Sequence, residues 1–320
     1  MSQIDPMTED RLRIALAGSM PLPAATERHL RDSLLHALHA PGRLARPRIL
    51  LQVSSAYGQL DQAGEDLAVA IEYFHTASLL FDDLPCMDDA SHRRGAPCLH
   101  VAFGDATTIL AALALVNRAY ALLWQAIAES PRELQRQALA YVEQRLGIDG
   151  LLNGQSMDIH YASLPHDRIT SEAIALGKTV SLIRLALVLP AILGGAPAAE
   201  LILLERISLF WGLSYQILDD LKDVLHTSET TGKTEARDAA LDRPNIALIL
   251  GVPAAINRLN RLIHIGNLAL QRILQARPVL GFLTNLRSDL QRERDHVTDI
   301  ARTIVPPPPS TSTITMRGLA

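Results

Sequence analysis

The chain has 320 residues, a formal net charge of -4 and a pI near 6.3, so it lacks a basic footprint and gives a nucleic-acid partner little support despite local Arg clusters. Apolar residues make up 48% and aromatics only 4%, with Leu, Ala and Ile carrying the excess, a balance that favours helix-on-helix packing in one large all-α domain over a sheet. Two cysteines, Cys86 and Cys98, exclude a disulfide framework and a four-thiolate zinc site, and they read as small packing residues in a reducing compartment.

The N-terminus, MSQIDPMTEDRLRIALAGSM, lacks the basic start and apolar run of a signal peptide, and no continuous apolar stretch is expected to span a bilayer. A soluble cytoplasmic protein is therefore expected. From Ala25 to Ala40, Leu30, Leu34, Leu35 and Leu38 form one helical stripe that Pro41-Gly42 ends. A second helix is placed from Pro47, where proline suits the first turn. The run from Gly64 to Phe81 reads as a buried helix ending in an acidic cluster near Pro85. Further helices are predicted over roughly 105–128, 132–162, 170–193, 198–225 and 246–276, punctuated by Pro131, Pro165, Gly194-Gly195 and Pro197. Between His226 and Asn245 the sequence turns polar and reads as a mobile connection, suited to a lid. The ending PPPPSTSTITMRGLA reads as a disordered tail over residues 306–320, leaving 1–305 as the folded unit.

Two acidic clusters carry the chemistry. The first, LLFDDLPCMDDASHRRGAP, holds Asp82, Asp83, Asp88 and Asp89 beside Arg93 and Arg94. Four carboxylates so close after an apolar helix repel one another unless cations gather them, and magnesium suits hard oxygen ligands that also meet phosphate. The second, YQILDDLKDV, places Asp219, Asp220 and Asp223 at three- and four-residue spacing, on one helical face. Either cluster alone would equally suit a solvated loop or a helix cap. Together, each joined to a strongly apolar helix, they point to several metal ions held between two carboxylate groups.

The segment HTASLLFDDLPCMDDASHRRGAPCLH resembles the first aspartate-rich motif of the trans-isoprenyl diphosphate synthases, and YQILDDLKD resembles their second. GRLARP at Gly42–Pro47, GLLNGQSMD at Gly150–Asp158, LGKT at Leu176–Thr179 and GKTEARD at Gly232–Asp238 follow in family order, so the likeness covers about residues 25 to 300. The flanks of the first motif most resemble geranylgeranyl diphosphate synthases of bacterial carotenoid pathways. The resemblance implies a single all-α isoprenoid-synthase bundle around a central cavity, Mg2+ as cofactor, and a homodimer. It implies condensation of isopentenyl diphosphate with an allylic diphosphate: ionisation of the allylic substrate, attack by the isopentenyl double bond, and proton loss to the diphosphate.

On this resemblance the metal ligands are Asp82, Asp83 and Asp88 with Asp219, Asp220 and Asp223, of which Asp82, Asp88 and Asp219 are the direct candidates. Arg93, Lys178 and Lys233 take the cationic positions of the allylic diphosphate site, and Thr179 and Gln216 those near the developing cation. Arg43, Arg46, His75 and Arg94 take the isopentenyl diphosphate positions; Arg43 replaces the usual Lys, and Leu44 stands where a basic residue often follows. For His75, ligand and satisfied core residue remain equal readings. Arg237 stands where a second Lys is common. Gln155 and Asp158 match a helix motif whose other reading is a buried polar linkage between helices.

A product anchored at Asp82 would grow along the preceding helix toward its N-terminus. Ala77 and Ser78 lie about 6–7.5 Å along the axis and Phe74 about 12 Å, so small residues leave the upper pocket open and Phe74 forms a floor, favouring twenty carbons. The alternatives are a farnesyl diphosphate synthase, a terpene cyclase on the same scaffold, and a regulatory subunit. Retention of Arg43, Arg46 and Arg94 argues against the cyclase, and the full set of carboxylates against the subunit.

Overall fold

Because Leu, Ala and Ile recur every three or four residues, the chain folds almost wholly as helices, and a computed structural model describes residues 6–39, 41–59, 61–226 and 243–304. In order these are α1 (Pro6–Gly18), α2 (Arg28–His39), α3 (Ala45–Ala56), α4 (Asp61–Asp82), α5 (Leu99–Phe103), α6 (Asp105–Ala128), α7 (Arg132–Leu146), α8 (Leu151–Ile159), α9 (Arg168–Ala175), α10 (Ser181–Leu193), α11 (Ala198–His226), α12 (Ile246–Leu250), α13 (Val252–Ala276) and α14 (Leu283–Ile304). A short hairpin pairs β1 (His92–Arg93) with β2 (Ala96–Pro97), a minor exception to the all-α expectation. Lys233, Arg237, residues 227–242 of the predicted lid between His226 and Asn245, and the predicted tail over 306–320 lie outside the described residues.

Helix α4 is the centre. Leu67, Ala68, Val69, Ala70 and Ile71 are all fully buried, and five consecutive residues can be buried only if the helix is covered on every side. α6 supplies the largest part of that cover, α3 packs alongside, and α10 bridges α3 and α7. Leu67 and Ile71 each stabilise the core by roughly 1.5–3 kcal/mol. A second core gathers around the C-terminal half of α11 with α12, α13 and α14. α11 serves both: Leu204, Ile207 and Trp211 belong to the first core, and Leu213, Ile217, Leu218, Leu221 and Leu225 to the second.

Three helical predictions need correction. The helix expected over 132–162 breaks after Leu146 and resumes at Leu151, because Gly147 and Gly150 interrupt it. The helix expected over 246–276 breaks at Gly251, and Pro253 starts a new first turn. Within the predicted 170–193 helix, residues Leu176–Val180 form a π turn between α9 and α10. α1 and α14 were not anticipated: α14 is heavily charged, and its buried positions are sparse, with Leu283, Val297 and Ala301 the buried apolar ones.

The expectation that no stretch could span a bilayer is also corrected. By length and composition Asp105–Ala128, Arg168–Leu193 and Ala198–Leu225 are each apolar enough to cross a membrane, with 39%, 67% and 50% of their apolar windows buried inside the fold. Isolated polar residues interrupt each run to the eye without lowering its mean hydropathy enough to exclude it.

Candidate active site

The first acidic cluster begins where α4 ends. Its last turn delivers Asp82 and Asp83 into the interior, and the following chain folds back so that the Asp88 and Ala90 amides donate to the Asp82 and Asp83 carbonyls. Asp82 meets Gln155 of α8, whose Nε2 donates to Oδ1 at 2.7 Å, and Lys178, whose Nζ lies 3.8 Å from Oδ2. Burial raises the Asp82 carboxyl to about 6 against the pull of Lys178. Burial opposes charge on Lys178 as well, but Asp82 and Asp158 outweigh it and raise its pKa, with Nζ 2.7 Å from Asp158 Oδ2. Gln155 and Asp158 thus do form a buried polar linkage, and the linkage ends on the first acidic cluster.

Glycines permit this convergence. A Cβ on Gly154 would sit 2.4 Å from the Lys178 amide nitrogen, and one on Gly177 would sit 2.6 Å from Gly154 Cα. Main chain therefore meets main chain between α8 and the π turn, which explains the glycines of GLLNGQ and LGKT.

Asp83 is committed elsewhere. The Arg93 guanidinium reaches it through Nε and Nη2, at 2.8 and 2.7 Å, and Asp83 itself is only 2% exposed. Arg93 and Asp83, expected to serve a substrate and a metal, are brought together as a two-pronged ion pair. Arg243, which sequence reading did not single out, donates to Asp88 at 2.8 Å and lies 3.6 Å from Asp158.

In the second cluster the three carboxylates diverge. Asp219 is held at about 6 by burial, against Lys222 and Arg46, and Tyr215 hydrogen-bonds to it. Asp220 is buried: Gln216 Nε2 donates to one oxygen at 2.9 Å and the Ile246 amide to the other at 2.8 Å. Asp223 is exposed, so the expectation of one shared face holds for spacing but not for surroundings. Thr179 donates to Gln216 Oε1 at 2.7 Å, linking the π turn to α11. Asp88, Lys178, Thr179, Gln216, Asp220 and Arg243 line one cavity of about 150 Å³, so members of both clusters do share a wall.

A basic pocket lies about two turns before Asp82 along α4. Arg46 Nη1 is 3.3 Å from His75 Nε2, and Arg94 lies against Gly42, next to Arg43. Burial, then Arg46 and Arg94, push His75 down to about 3, which keeps it neutral. Glu72, one turn before His75 and 4% exposed, is raised to about 7 by burial despite Arg46 and Arg94. Sequence reading passed over Glu72 because a glutamate inside a helix is ordinarily a solvated one.

Along α4, Ala77 is 1% exposed, and Ser78 turns its hydroxyl back to the His75 carbonyl. Phe74 packs edge-to-face on Tyr120 of α6, with ring centroids 4.9 Å apart, and Tyr120 stacks on Trp124 at 5.9 Å.

A family model described as polyprenyl synthetase matches residues 27–271. The chain is 33% identical over 253 residues to the farnesyl diphosphate synthase of Bacillus subtilis, covering 77% of this chain and 85% of that one. It is also 33% identical over 244 residues to the mitochondrial geranylgeranyl pyrophosphate synthase 10 of Arabidopsis thaliana, covering 74% and 70%. The chain belongs to the polyprenyl synthetase family. Its fold matches a Helicobacter pylori geranyltransferase solved with magnesium and isoprenyl diphosphate, with a TM-score of 0.76 at 23% identity over 93% of this chain and 100% of that one. It is thus a trans-isoprenyl diphosphate synthase with the all-α isoprenoid-synthase fold, and its activity is that of a prenyltransferase.

Among the described residues no three acidic, His or Cys side chains form a ready-made metal cage. The donor set nevertheless fits: Lys178 and Arg243 stand as cations against Asp82, Asp88 and Asp158, and magnesium commonly takes only one or two carboxylates, with phosphate and water completing its shell.

Proposed function

We propose that this prenyltransferase condenses isopentenyl diphosphate with allylic diphosphates to give geranylgeranyl diphosphate, in a Mg2+-dependent reaction. The observation that carries the product length is the succession along α4 of buried Ala77, half-buried Ser78 and Phe74, the last closed against Tyr120. Small residues near Asp82 admit the growing chain, and the aromatic pair forms the floor.

Asp82, Asp88 and Asp219 are the assigned metal ligands, with Asp83, Asp220 and Asp223 supporting them. Bound Mg2+ would neutralise charge on the departing diphosphate. Lys178, Arg93 and Lys233, joined by Arg243, orient the allylic diphosphate. Thr179 and Gln216 present oxygens toward the developing cation, and neither acts as a nucleophile. Arg43, Arg46, His75 and Arg94 bind isopentenyl diphosphate, with neutral His75 as a hydrogen-bond partner. Residues 1–305 are assigned to the enzyme and 306–320 to a tail.

A homodimer is supported by α6, whose Ile109, Leu110, Leu113 and Trp124 leave an apolar row exposed on one side. The exposed free thiol of Cys86 is consistent with a reducing cytoplasm. A fifteen-carbon product is the second reading, favoured by the name of the Bacillus relative. Incubation with Mg2+, labelled isopentenyl diphosphate and each allylic primer in turn decides between them. Twenty-carbon product as the end point supports the proposal, and accumulation of farnesyl diphosphate refutes it.

A further inference from the structure

Two strained residues flank the basic pocket. Arg94 has φ of +54° and Gly95 φ of +81° between β1 and β2, the left-handed pair that a tight two-residue hairpin turn demands. Asn, Asp or Gly normally takes the first of these positions, so an arginine there is held against backbone preference. Leu44, with φ of +50°, begins α3 without a side-chain cap and is 2% exposed. Between these two features lies Gly42. A Cβ built on Gly42 would fall 2.5 Å from Arg94 Nη2 and 2.8 Å from both Cζ and Nη1. All three close approaches are to the guanidinium and none is to main chain.

We propose that Gly42 is a positioning residue: its missing side chain is the seat on which the Arg94 guanidinium rests, and this seat aims Arg94 at the diphosphate of isopentenyl diphosphate beside Arg43 and Arg46. The inference rests on the assignment of that pocket to isopentenyl diphosphate. A planar fork lying on bare main chain keeps its remaining N–H edges free for phosphate. The strained turn brings the side chain to the seat, and the absent Cβ lets it settle. Any side chain at 42 would lift the guanidinium while leaving the fold intact, because only the far end of a flexible side chain has to move.

Steady-state kinetics of the full chain with Mg2+ and both substrates test this. Gly42→Ala should raise the Michaelis constant for isopentenyl diphosphate about tenfold, the loss of one charge-assisted hydrogen bond, and leave that for the allylic substrate within about twofold. Arg94→Ala should give a similar rise, and Gly42→Ala added to Arg94→Ala should change nothing further. Arg94→Lys, which keeps the charge but loses the flat fork and leaves residue 42 untouched, should raise the same constant several-fold. A wild-type constant in Gly42→Ala or in Arg94→Lys overturns the inference, as does an undiminished Gly42→Ala effect in the Arg94→Ala background. If Arg94→Ala itself spares isopentenyl diphosphate, the pocket assignment fails first.

Discussion

Replacing Glu72 by Gln should change how stability depends on pH, because Glu72 and His75 oppose each other. The folded Glu72 carboxyl keeps its proton to about 7, through burial first and despite Arg46 and Arg94, whereas the unfolded one loses it near 4.5. Its contribution is therefore complete below 4.5 and is lost as pH rises through 7. His75 behaves in the reverse sense: folded it stays neutral down to about 3, unfolded it takes a proton near 6.5. Its contribution is present above 6.5 and is lost as pH falls. Between pH 4.5 and 6.5 each group imposes a slope of roughly 1.4 kcal/mol per pH unit, with opposite signs, so the two cancel. Glu72→Gln leaves the His75 slope exposed, and stability relative to wild type should fall by about 2–3 kcal/mol from pH 6.5 to 4.5. His75→Gln should show the mirror image, losing stability as pH rises. Urea unfolding followed by circular dichroism at three pH values across that window measures both. Parallel curves for wild type and Glu72→Gln would refute the reasoning.

Asp82→Ala or Asp219→Ala should lower kcat by about 10²–10³ or more with the melting temperature retained, since each removes a buried carboxylate that burial holds near 6; near wild-type turnover with Mg2+ would remove the two-cluster mechanism. Ala77→Phe should shift the main product to farnesyl diphosphate, and Phe74→Ala, which opens the face of Tyr120, should admit products beyond twenty carbons; product chromatography that shows no change in two active variants would place the chain elsewhere. Gly154→Ala should destabilise by about 1–3 kcal/mol and lower kcat, because its Cβ meets the Lys178 main chain at 2.4 Å; a variant with wild-type melting temperature and turnover would show that α8 can move aside.

The helical character, the two acidic clusters and the basic residues were legible because each depends on local spacing and composition. What local spacing could not reveal was which charges meet. Arg93 reads as a substrate cation in the sequence, and its ion pair with Asp83 is visible only once the hairpin is formed. Asp219 and Asp220 are neighbours in the chain, yet one is held by burial beside Tyr215 while the other is occupied by Gln216 and the Ile246 amide. Arg243 follows a polar stretch with no stripe to mark it, and its bond to Asp88 spans 155 residues. Glu72 acquires its character from burial under other elements, which outweighs the pull of Arg46 and Arg94. The breaks at Gly147–Gly150 and Gly251 were missed for the opposite reason, since the apolar periodicity continues across them.

The π turn at Leu176–Val180 sets a rule for what changes this site can tolerate. Such a turn carries one residue more than the α-helical path needs, wound into a helix that runs from Arg168 to Leu193. Five residues at the wider π pitch turn the helix about as far as four at the α pitch, so deleting one residue there would heal the helix and keep α9 and α10 close to their present orientation. Glu172 would keep its ion pair with Arg258, whereas the main-chain contact of Gly177 with Gly154, which lies inside the segment, would be reshaped. A one-residue deletion at 176–180 is therefore a local change to the wall that Lys178 and Thr179 supply, made with the surrounding helices left in register.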